Sequence, residues 1–542
     1  MATAISPDLG ALARIDYRAS FSNAVANHGM RPLVLPWALL GPMILPPLWL
    51  AIPHTKRPWV YRTRWLVVGL IVALDFDLIR SVSSYNVASA YGAGLMGSWG
   101  ILHTLDLLVW TRPQFDAARI VKAAKSEKAA TDVPSGMAET RTGNGALRED
   151  GVRQRKPNNV NGRVSQGSKD HAASNKGETE YVWQLFPENG SFLQRLNWSA
   201  DFVTNYRCIG WNCCITSVPR PKIPARIRDG DTLSLDSMPT VSRSGCRRSL
   251  TVSEFLWSRV RVMAVQYMIL DCLATFMIKD PYFVFGPERS ISYELPSYLN
   301  RLPSWALLSY RELISLAGIY GAIDLMFNFN DVFQYYAFSP IFPIRKEFWH
   351  YPSIWGSFSQ VLDRGLAGGW GAFWHQTFRL QFSAPATYLV KNGFLTKGTL
   401  TTRIVTMYVA FLQSGLLHAS GSISSMPETK IWRSPVFFLL QPLGIMIQQM
   451  LFRAIDTYLP RFPKVLRRAI SLVSTLAWMQ MTAFLFCDDI ASTGLWLHEP
   501  VPFSPLRLMG FGHPDDHWQR WNKINLPTWY WGKHWWTSGV QI

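Results

Sequence analysis

Long apolar runs constrain this chain more than any other feature of its sequence. A helix needs about 20 apolar residues to cross the hydrocarbon core of a bilayer, and about eight runs of roughly that length occur here. They are residues 33–52, 65–83, 87–110, 255–278, 304–328, 404–423, 435–452 and 469–488. A shorter stretch, 380–390, could add a ninth. The sequence therefore predicts an all-α, polytopic membrane protein with about eight transmembrane helices, room for re-entrant segments, and a long cytosolic loop.

Charged residues interrupt several of these runs. Charge in the hydrocarbon core is costly, so such residues usually face protein or a water-filled cavity rather than lipid. We therefore expect these helices to pack against one another through their charged positions. Those positions are Asp75, Asp77, His103, Asp106, Asp271, Arg311, Glu312 and Asp324.

The distribution of Lys and Arg between the runs predicts an orientation. Cytosolic loops of membrane proteins carry an excess of Lys and Arg, and short loops are the most informative. Loops 53–64 and 453–468 are basic, whereas 84–86 is uncharged and 279–303 is balanced. The alternation places 111–253, 329–403 and 453–468 on the cytosolic side.

Composition divides the chain further. We expect a three-helix membrane block at 1–110, a disordered cytosolic insert at 111–180 that is poor in large apolar residues, and an amphipathic interfacial segment at 181–253. The main membrane core would then occupy 254–492, followed by a Trp-rich tail at 493–542.

Several classes of protein fit this sequence poorly. The six cysteines show no CxxC spacing, so neither a zinc site nor a disulfide framework is predicted. The formal charge of +18 would suggest nucleic-acid binding in a soluble protein, but here topology accounts for many of the cations. We therefore expect no nucleic-acid partner. The N-terminal residues lack the charged-then-apolar pattern of a signal peptide, so insertion would depend on the first membrane helix.

His418 is the first candidate functional residue, because it lies inside the apolar run 404–423. Its unperturbed pKa of about 6.5 makes histidine the side chain best suited to proton transfer near neutral pH. His418 could take a proton from a bound alcohol, with Ser420 or Gln413 to orient it. Gly415 would allow close approach of a substrate or a neighbouring helix. The alternative is a purely structural histidine that bonds another helix, and the spacing alone does not separate the two.

His375 is the second candidate, in the glycine-flanked, aromatic and basic stretch WGAFWHQTFR, 370–379. Trp374, Gln376 and Arg379 surround it in sequence and would suit a vestibule for an anionic cofactor, because Arg makes bidentate contacts with phosphate. The alternative is an amphipathic element whose Trp and Arg anchor at the headgroups, which the residues alone favour.

Together the two histidine segments resemble a known family. WGAFWHQTFR followed by FLQSGLLHA is similar to the paired signature of the fungal and plant wax-synthase-like branch of the membrane-bound O-acyltransferases. Two upstream stretches also resemble fungal members of this family, and they occur in the same order along the chain. One is RLNWSADFVTNYRCIGWNCCITSVPRP, and the other is the approach to the first signature, with Trp349, Pro352 and Gly356. The similarity runs from about 181 to 490, together with the opening helices.

The resemblance implies acyl transfer from acyl-CoA to a hydroxyl group. The role of catalytic base falls on His418, and His375 is expected near the reaction centre, with Trp374, Gln376 and Arg379 toward the co-substrate. Fungal members of this size often acetylate terpenoid or meroterpenoid alcohols in secondary metabolism, which predicts acetyl-CoA as co-substrate and no bound cofactor or metal. The expected partners are acyl-CoA, a lipophilic alcohol and membrane lipids, in the endoplasmic reticulum.

Two other functions remain open at this point. One is a wax ester or sterol ester synthase that uses a long acyl chain. The other is a polytopic transporter with an intramembrane His/Asp relay, although transporters often contain internal repeats and none is visible here.

Overall fold

Helices dominate the architecture. The computed structural model describes residues 8–124, 179–455, 462–521 and 526–542, and these are mostly helical. The α-helices are α1 Leu9–Ala26, α2 Leu45–Leu50, α3 Pro58–Arg62, α4 Arg64–Ser81, α5 Val87–Leu105, α6 Pro113–Asp116, α7 Phe192–Val203, α8 Val252–Met277, α9 Pro281–Arg289, α10 Ser297–Asn300, α11 Ser304–Phe333, α12 Ser359–Gly368, α13 Arg379–Lys391, α14 Leu400–Ser424, α15 Arg433–Ala454, α16 Lys464–Ser492 and α17 Pro505–Leu508.

The prediction of an all-α fold was too simple, because short strands join distant parts of the chain. They are β1 Arg31–Pro32, β2 Val34–Leu35, β3 Val82–Ser83, β4 Arg119–Ala124, β5 Thr179–Gln184, β6 Thr232–Leu233, β7 Thr528–Tyr530 and β8 Gly539–Gln541. β1 pairs parallel with β3, whereas β2–β8–β7 and β4–β5–β6 are antiparallel. Most of these strands are too short to have a periodicity that could be read from the sequence.

Five of the predicted membrane helices are long and apolar enough to cross a bilayer. These are Val252–Met277, Ser304–Phe338, Leu400–Ser424, Arg433–Ala454 and Lys464–Ser492 among the described residues. The predicted runs 65–83 and 87–110 correspond to α4 and α5, which are helical but do not meet the same criterion. The count of eight is therefore not confirmed.

The first predicted span, 33–52, is not one continuous helix. Its helical part, Trp37–Leu50, is about 21 Å long at 1.5 Å per residue, which is short of the roughly 30 Å hydrocarbon core. Prolines explain the interruption. Pro42 lies in a π-helical turn, Leu40–Ile44, and Pro46 and Pro47 start α2.

Most of the charged residues within the apolar runs are buried between helices, as predicted. Six of these charged residues have side chains that are at most 6% exposed: Asp75, His103, Asp106, Asp271, Glu312 and Asp324. Asp77 is exposed and pairs with Arg31, and Arg311 is partly buried and pairs with Asp280.

The segment predicted to be amphipathic and interfacial has a buried core instead. Trp183, Trp198 and Trp211 are at most 2% exposed and pack in two hydrophobic clusters. Tryptophans at a membrane interface would keep accessible surface, so their role here is packing. Ordered structure also begins earlier than expected. α6, β4 and the first two residues of β5 lie within 111–180, and residues 125–178 of that predicted insert lie outside the described residues.

Candidate active site

A cavity of about 1660 Å³ lies among α5, α11, α13, α14, α15 and α16. It brings together all five candidate residues of the sequence analysis: His375 and His418, with Trp374, Gln376 and Arg379. The two histidines come from separate elements, since His375 lies between α12 and α13 whereas His418 lies on α14.

The cavity runs lengthwise along one face of α14. Its lining on this helix follows the three- and four-residue spacing of a helical stripe, from Arg403 near the N-terminus to His418. The lining residues of the stripe are Arg403, Thr406, Met407, Ala410, Phe411, Ser414, Leu417 and His418. At 1.5 Å per residue, Arg403 and His418 are about 22 Å apart along the axis. An elongated ligand therefore fits along this face.

His418 is held by aromatic side chains from three other helices. Its Nδ1 lies 3.0 Å from the phenol oxygen of Tyr91 on α5. The imidazole stacks on Phe438 of α15, with centroids 5.2 Å apart and planes 7° apart. Phe486 of α16 makes an edge contact at 4.9 Å. Within the described residues, Nε2 of His418 has no hydrogen-bond partner, and it is the nitrogen left for a ligand.

The orienting partners expected from the sequence do not reach the imidazole. Gln413 donates to the backbone oxygens of Phe382 and Val409, and Ser420 donates to the oxygen of Leu416. Tyr91, which does reach it, is 327 positions away in sequence. No local sequence signal connects the two.

Glycines make the close packing around α14 possible. A Cβ on Gly415 would lie 2.7 Å from Pro435 of α15, and one on Gly421 would lie 2.6 Å from the ring of Tyr91. Contacts this short do not occur between ordinary Cβ atoms, so both positions require glycine. The expected close approach at Gly415 therefore involves a neighbouring helix.

The glycine-rich run before His375 bends the chain into the cavity. Gly365 has φ +58°, a conformation that favours glycine, and Gly369–Phe373 forms a π-helical turn. Trp374 is then extended and directs the chain to His375. Gly356 stabilises this turn, because its backbone amide donates to the backbone oxygen of Phe373 at 3.0 Å.

His375 lies among aromatic rings and keeps an unused polar atom. Trp355, Phe378 and Phe327 have centroids 5.9, 5.8 and 6.2 Å from its own. Its Nδ1 is buried and has no hydrogen-bond partner among the described residues. Burial, followed by the charge of Arg207, lowers the pKa of His375 to about 4, so the ring is neutral at physiological pH. A neutral imidazole with a free nitrogen can bind a polar group of a ligand.

The three neighbours of His375 differ in what they can bind. Gln376 is buried, its Nε2 donates to the oxygens of Trp370 and Trp374, and its Oε1 accepts from Arg379 at 2.5 Å. Gln376 thus braces the π-helical turn and has little left for a ligand. Trp374 packs against Trp370 and lines the cavity. Its ring is a wall.

Arginines line part of the cavity. Arg364, Arg379 and Arg403 are among them, and none of the three makes an ion pair among the described residues. Burial, followed by the charge of Arg364, lowers the pKa of Arg379. An anion bound between them would relieve that repulsion, and guanidinium groups suit phosphate. The sequence alone points only to Arg379 for this role.

Asp489 directly follows the last apolar run, 469–488, on α16. Its side chain is fully buried, and Oδ2 accepts from Ser422 and Ser434. Oδ1 is buried without a hydrogen-bond partner in the described part of the chain. A pattern of apolar residues followed by two carboxylates does not reveal that one of them turns inward.

Comparison with known proteins adds an independent observation. Residues 351–440 match the sequence profile of the membrane bound O-acyl transferase family, and this range contains both His375 and His418. The chain is similar to acetyltransferase eriL of Hericium erinaceus, at 22% identity over 62% of this chain and 78% of that protein.

Two further relatives match over shorter ranges. Acetyltransferase spyB of Aspergillus fumigatus is 29% identical over 18% of this chain and 16% of its own length. O-Mevalon transferase yanI of Aspergillus niger is 30% identical over 24% of this chain and 30% of its own length. No solved structure matches the chain significantly.

Proposed function

We propose that the chain is a membrane-bound O-acyltransferase that transfers an acetyl group from acetyl-CoA to a hydroxyl of a lipophilic terpenoid or meroterpenoid, in line with the family match and the similar acetyltransferase. Several of the similar proteins are named acetyltransferases, which supports acetyl as the acyl group. The observation that carries the proposal is a single cavity lined by both histidines and, along α14, by arginine.

His418 acts as the general base in this proposal. Its Nε2 accepts the hydroxyl proton while the alcohol oxygen attacks the thioester carbonyl. The new C–O bond forms, the C–S bond breaks, and the thiolate of CoA takes up the proton from His418. No acyl-enzyme is needed, because holding both substrates together supplies much of the rate through proximity.

The donor lies along α14 in this arrangement. Arg403 binds the phosphates of CoA, Arg364 and Arg379 add positive charge to the same cavity, and the thioester end extends toward His418, about 22 Å along the helix from Arg403. His375 binds the thioester carbonyl or the attacking hydroxyl through a ring nitrogen. Trp374 provides an apolar wall. The lipophilic alcohol reaches the cavity from the bilayer.

The membrane arrangement is part of the same proposal. α4, α5 and the Trp37–Leu50 segment would join the five longer helices as membrane elements, which restores a total near eight. The arginines of the cavity then belong to the cytosolic loop 329–403, where CoA is available, with 254–492 as the catalytic core. We assign the protein to the endoplasmic reticulum membrane on the same grounds.

Microsomes that contain the protein test this function. They would be incubated with labelled acetyl-CoA or with a labelled long-chain acyl-CoA against a panel of terpenoid and sterol alcohols. Acetyl transfer to a terpenoid that is lost in the His418→Ala variant is the expected result. Preference for the long-chain donor would instead indicate a wax or sterol ester synthase, and no transfer from either donor would contradict the proposal.

A further inference from the structure

We propose that Tyr91 is a positioning residue that holds His418 in the form needed for proton transfer, with Asp489 as the acceptor of its phenolic hydrogen. This inference rests on the proposed function, because it concerns the base that the function assigns. Three helices, α5, α14 and α16, contribute one member each.

The contact between Tyr91 and His418 is specific and enclosed. Tyr91 is 5% exposed, and its oxygen lies 3.0 Å from Nδ1 of His418. The phenol ring lies directly against Gly421, one turn along α14 from His418. The backbone of α14 also approaches α5 closely at Gly94, whose amide donates to Ser424. The phenol therefore has little freedom to leave the imidazole.

The chemistry of a base determines which atom carries the hydrogen. If Nε2 of His418 is to accept a proton from the substrate, its lone pair must be free, so the hydrogen of the neutral ring must be on Nδ1. Nδ1 then donates to the oxygen of Tyr91. The phenol cannot donate back to Nδ1, so its own hydrogen needs a different acceptor.

Asp489 supplies the unmet acceptor. Its Oδ1 is buried and has no partner among the described residues, whereas Oδ2 is held by Ser422 and Ser434. Tyr91 packs in one apolar cluster with Phe486 and Ile490, the residues on either side of Asp489 on α16. The structure contains no hydrogen bond between the phenol and Oδ1, and forming one would give both buried groups a partner.

The pair becomes more important as the reaction proceeds. When Nε2 accepts the substrate proton, the imidazole becomes positively charged, and Phe438, which stacks on it, offers a cation–π contact but no hydrogen-bond acceptor. The phenol oxygen, polarised by Asp489, stabilises that charge. Interactions that strengthen with developing charge act on the rate rather than on substrate binding.

Tyr91→Phe is the direct test, because phenylalanine keeps the ring against Gly421 and removes only the hydroxyl. We expect kcat to fall about 10- to 100-fold, the range for loss of one hydrogen bond to a charged group, while KM for acetyl-CoA and for the alcohol changes less than about two-fold. Tyr17→Phe is the matched control. It removes a buried phenol that donates to the oxygen of Ser84, away from the cavity, and should leave kcat unchanged.

Asp489→Asn provides a second measurement if Tyr91→Phe accumulates poorly, since the amide keeps an oxygen for the two serines but no longer a carboxylate. It should also lower kcat without changing KM. Wild-type kcat in both variants, with His418→Ala inactive, would overturn the role of Tyr91 and leave the proposed function intact. An active His418→Ala variant would instead contradict the proposed function itself. A Tyr91→Phe variant that loses thermal stability and binding together would show a structural role and refute positioning.

Discussion

Two substitutions of His418 distinguish its role in catalysis from its role in stability, because they should lower the free energy of unfolding by different amounts. His418→Ala removes the base, which general acid–base catalysis values at about 10²–10⁴ in rate. It also leaves the buried hydroxyl of Tyr91 without its partner, at about 1–3 kcal/mol, and removes two ring contacts worth about 0.5–1.5 kcal/mol each. The total loss of stability is therefore about 2–6 kcal/mol.

His418→Gln should lose activity to the same extent with a smaller loss of stability. The amide keeps a polar atom for Tyr91 and fills much of the volume of the ring, but an amide cannot accept the substrate proton. We would purify both variants in detergent, measure acetyl transfer with labelled acetyl-CoA, and measure thermal stability by size-exclusion chromatography after heating. Turnover of folded His418→Gln within about ten-fold of the wild type would refute the assignment of His418 as the base.

Three further changes test other parts of the structure. Gly421→Ala places a Cβ 2.6 Å from the ring of Tyr91, so it should displace the phenol and lower kcat about ten-fold, measured on protein that remains folded. His375→Asn should flatten the pH dependence of thermal stability between about 6.5 and 4. Burial lowers the pKa of His375 to about 4, so the unfolded chain binds an additional proton as the pH falls through this window and wild-type stability decreases. Replacing the residues between Ala124 and Thr179 by an Asn-Gly turn should preserve folding and acyl transfer, because these two residues are paired in one antiparallel hairpin.

Gly421→Ala has a matched control. Gly69→Ala adds a methyl group to a helix where nothing lies within 4 Å, so it should leave the rate unchanged and raise stability by about 0.5–1 kcal/mol. An equal slope of stability against pH in His375→Asn and the wild type would show that this ring does not titrate in the window. Loss of folded protein on shortening the hairpin would mean that the chain between the strands is needed for the fold.

The pairing of His375 with His418 was predictable from the sequence, whereas their surroundings were not. The apolar run around His418 and the glycine-rich run before His375 are local patterns, and together they resembled a family signature. Both residues do line one cavity. The proposed partners Gln413 and Ser420 were wrong, because Gln413 donates to the backbone oxygens of Phe382 and Val409 and Ser420 donates to that of Leu416. The bond to Tyr91 depends on how α5 packs against α14, which no local pattern records.

Gln376 shows the same limit in a single residue. An amide beside a candidate histidine is a reasonable ligand for a substrate, and the sequence analysis assigned it that role. The π-helical turn places two backbone oxygens against its Nε2, so most of its hydrogen-bonding capacity is used internally. The direction of those oxygens follows from the bend at Gly365 and the turn at Gly369–Phe373, and hydrophobic periodicity does not reveal either.

The sequence alone determined that this chain is a helical membrane protein with two histidines in a family-like arrangement, because hydrophobic length and short motifs are local properties. Tertiary structure decided which groups those histidines meet. It buried Asp489 rather than exposing it, and it interrupted the first apolar run with proline turns. It also aligned Arg403 with His418 along one face of α14. Each of these outcomes depends on contacts between helices that are distant in sequence, and only the packed arrangement specifies them.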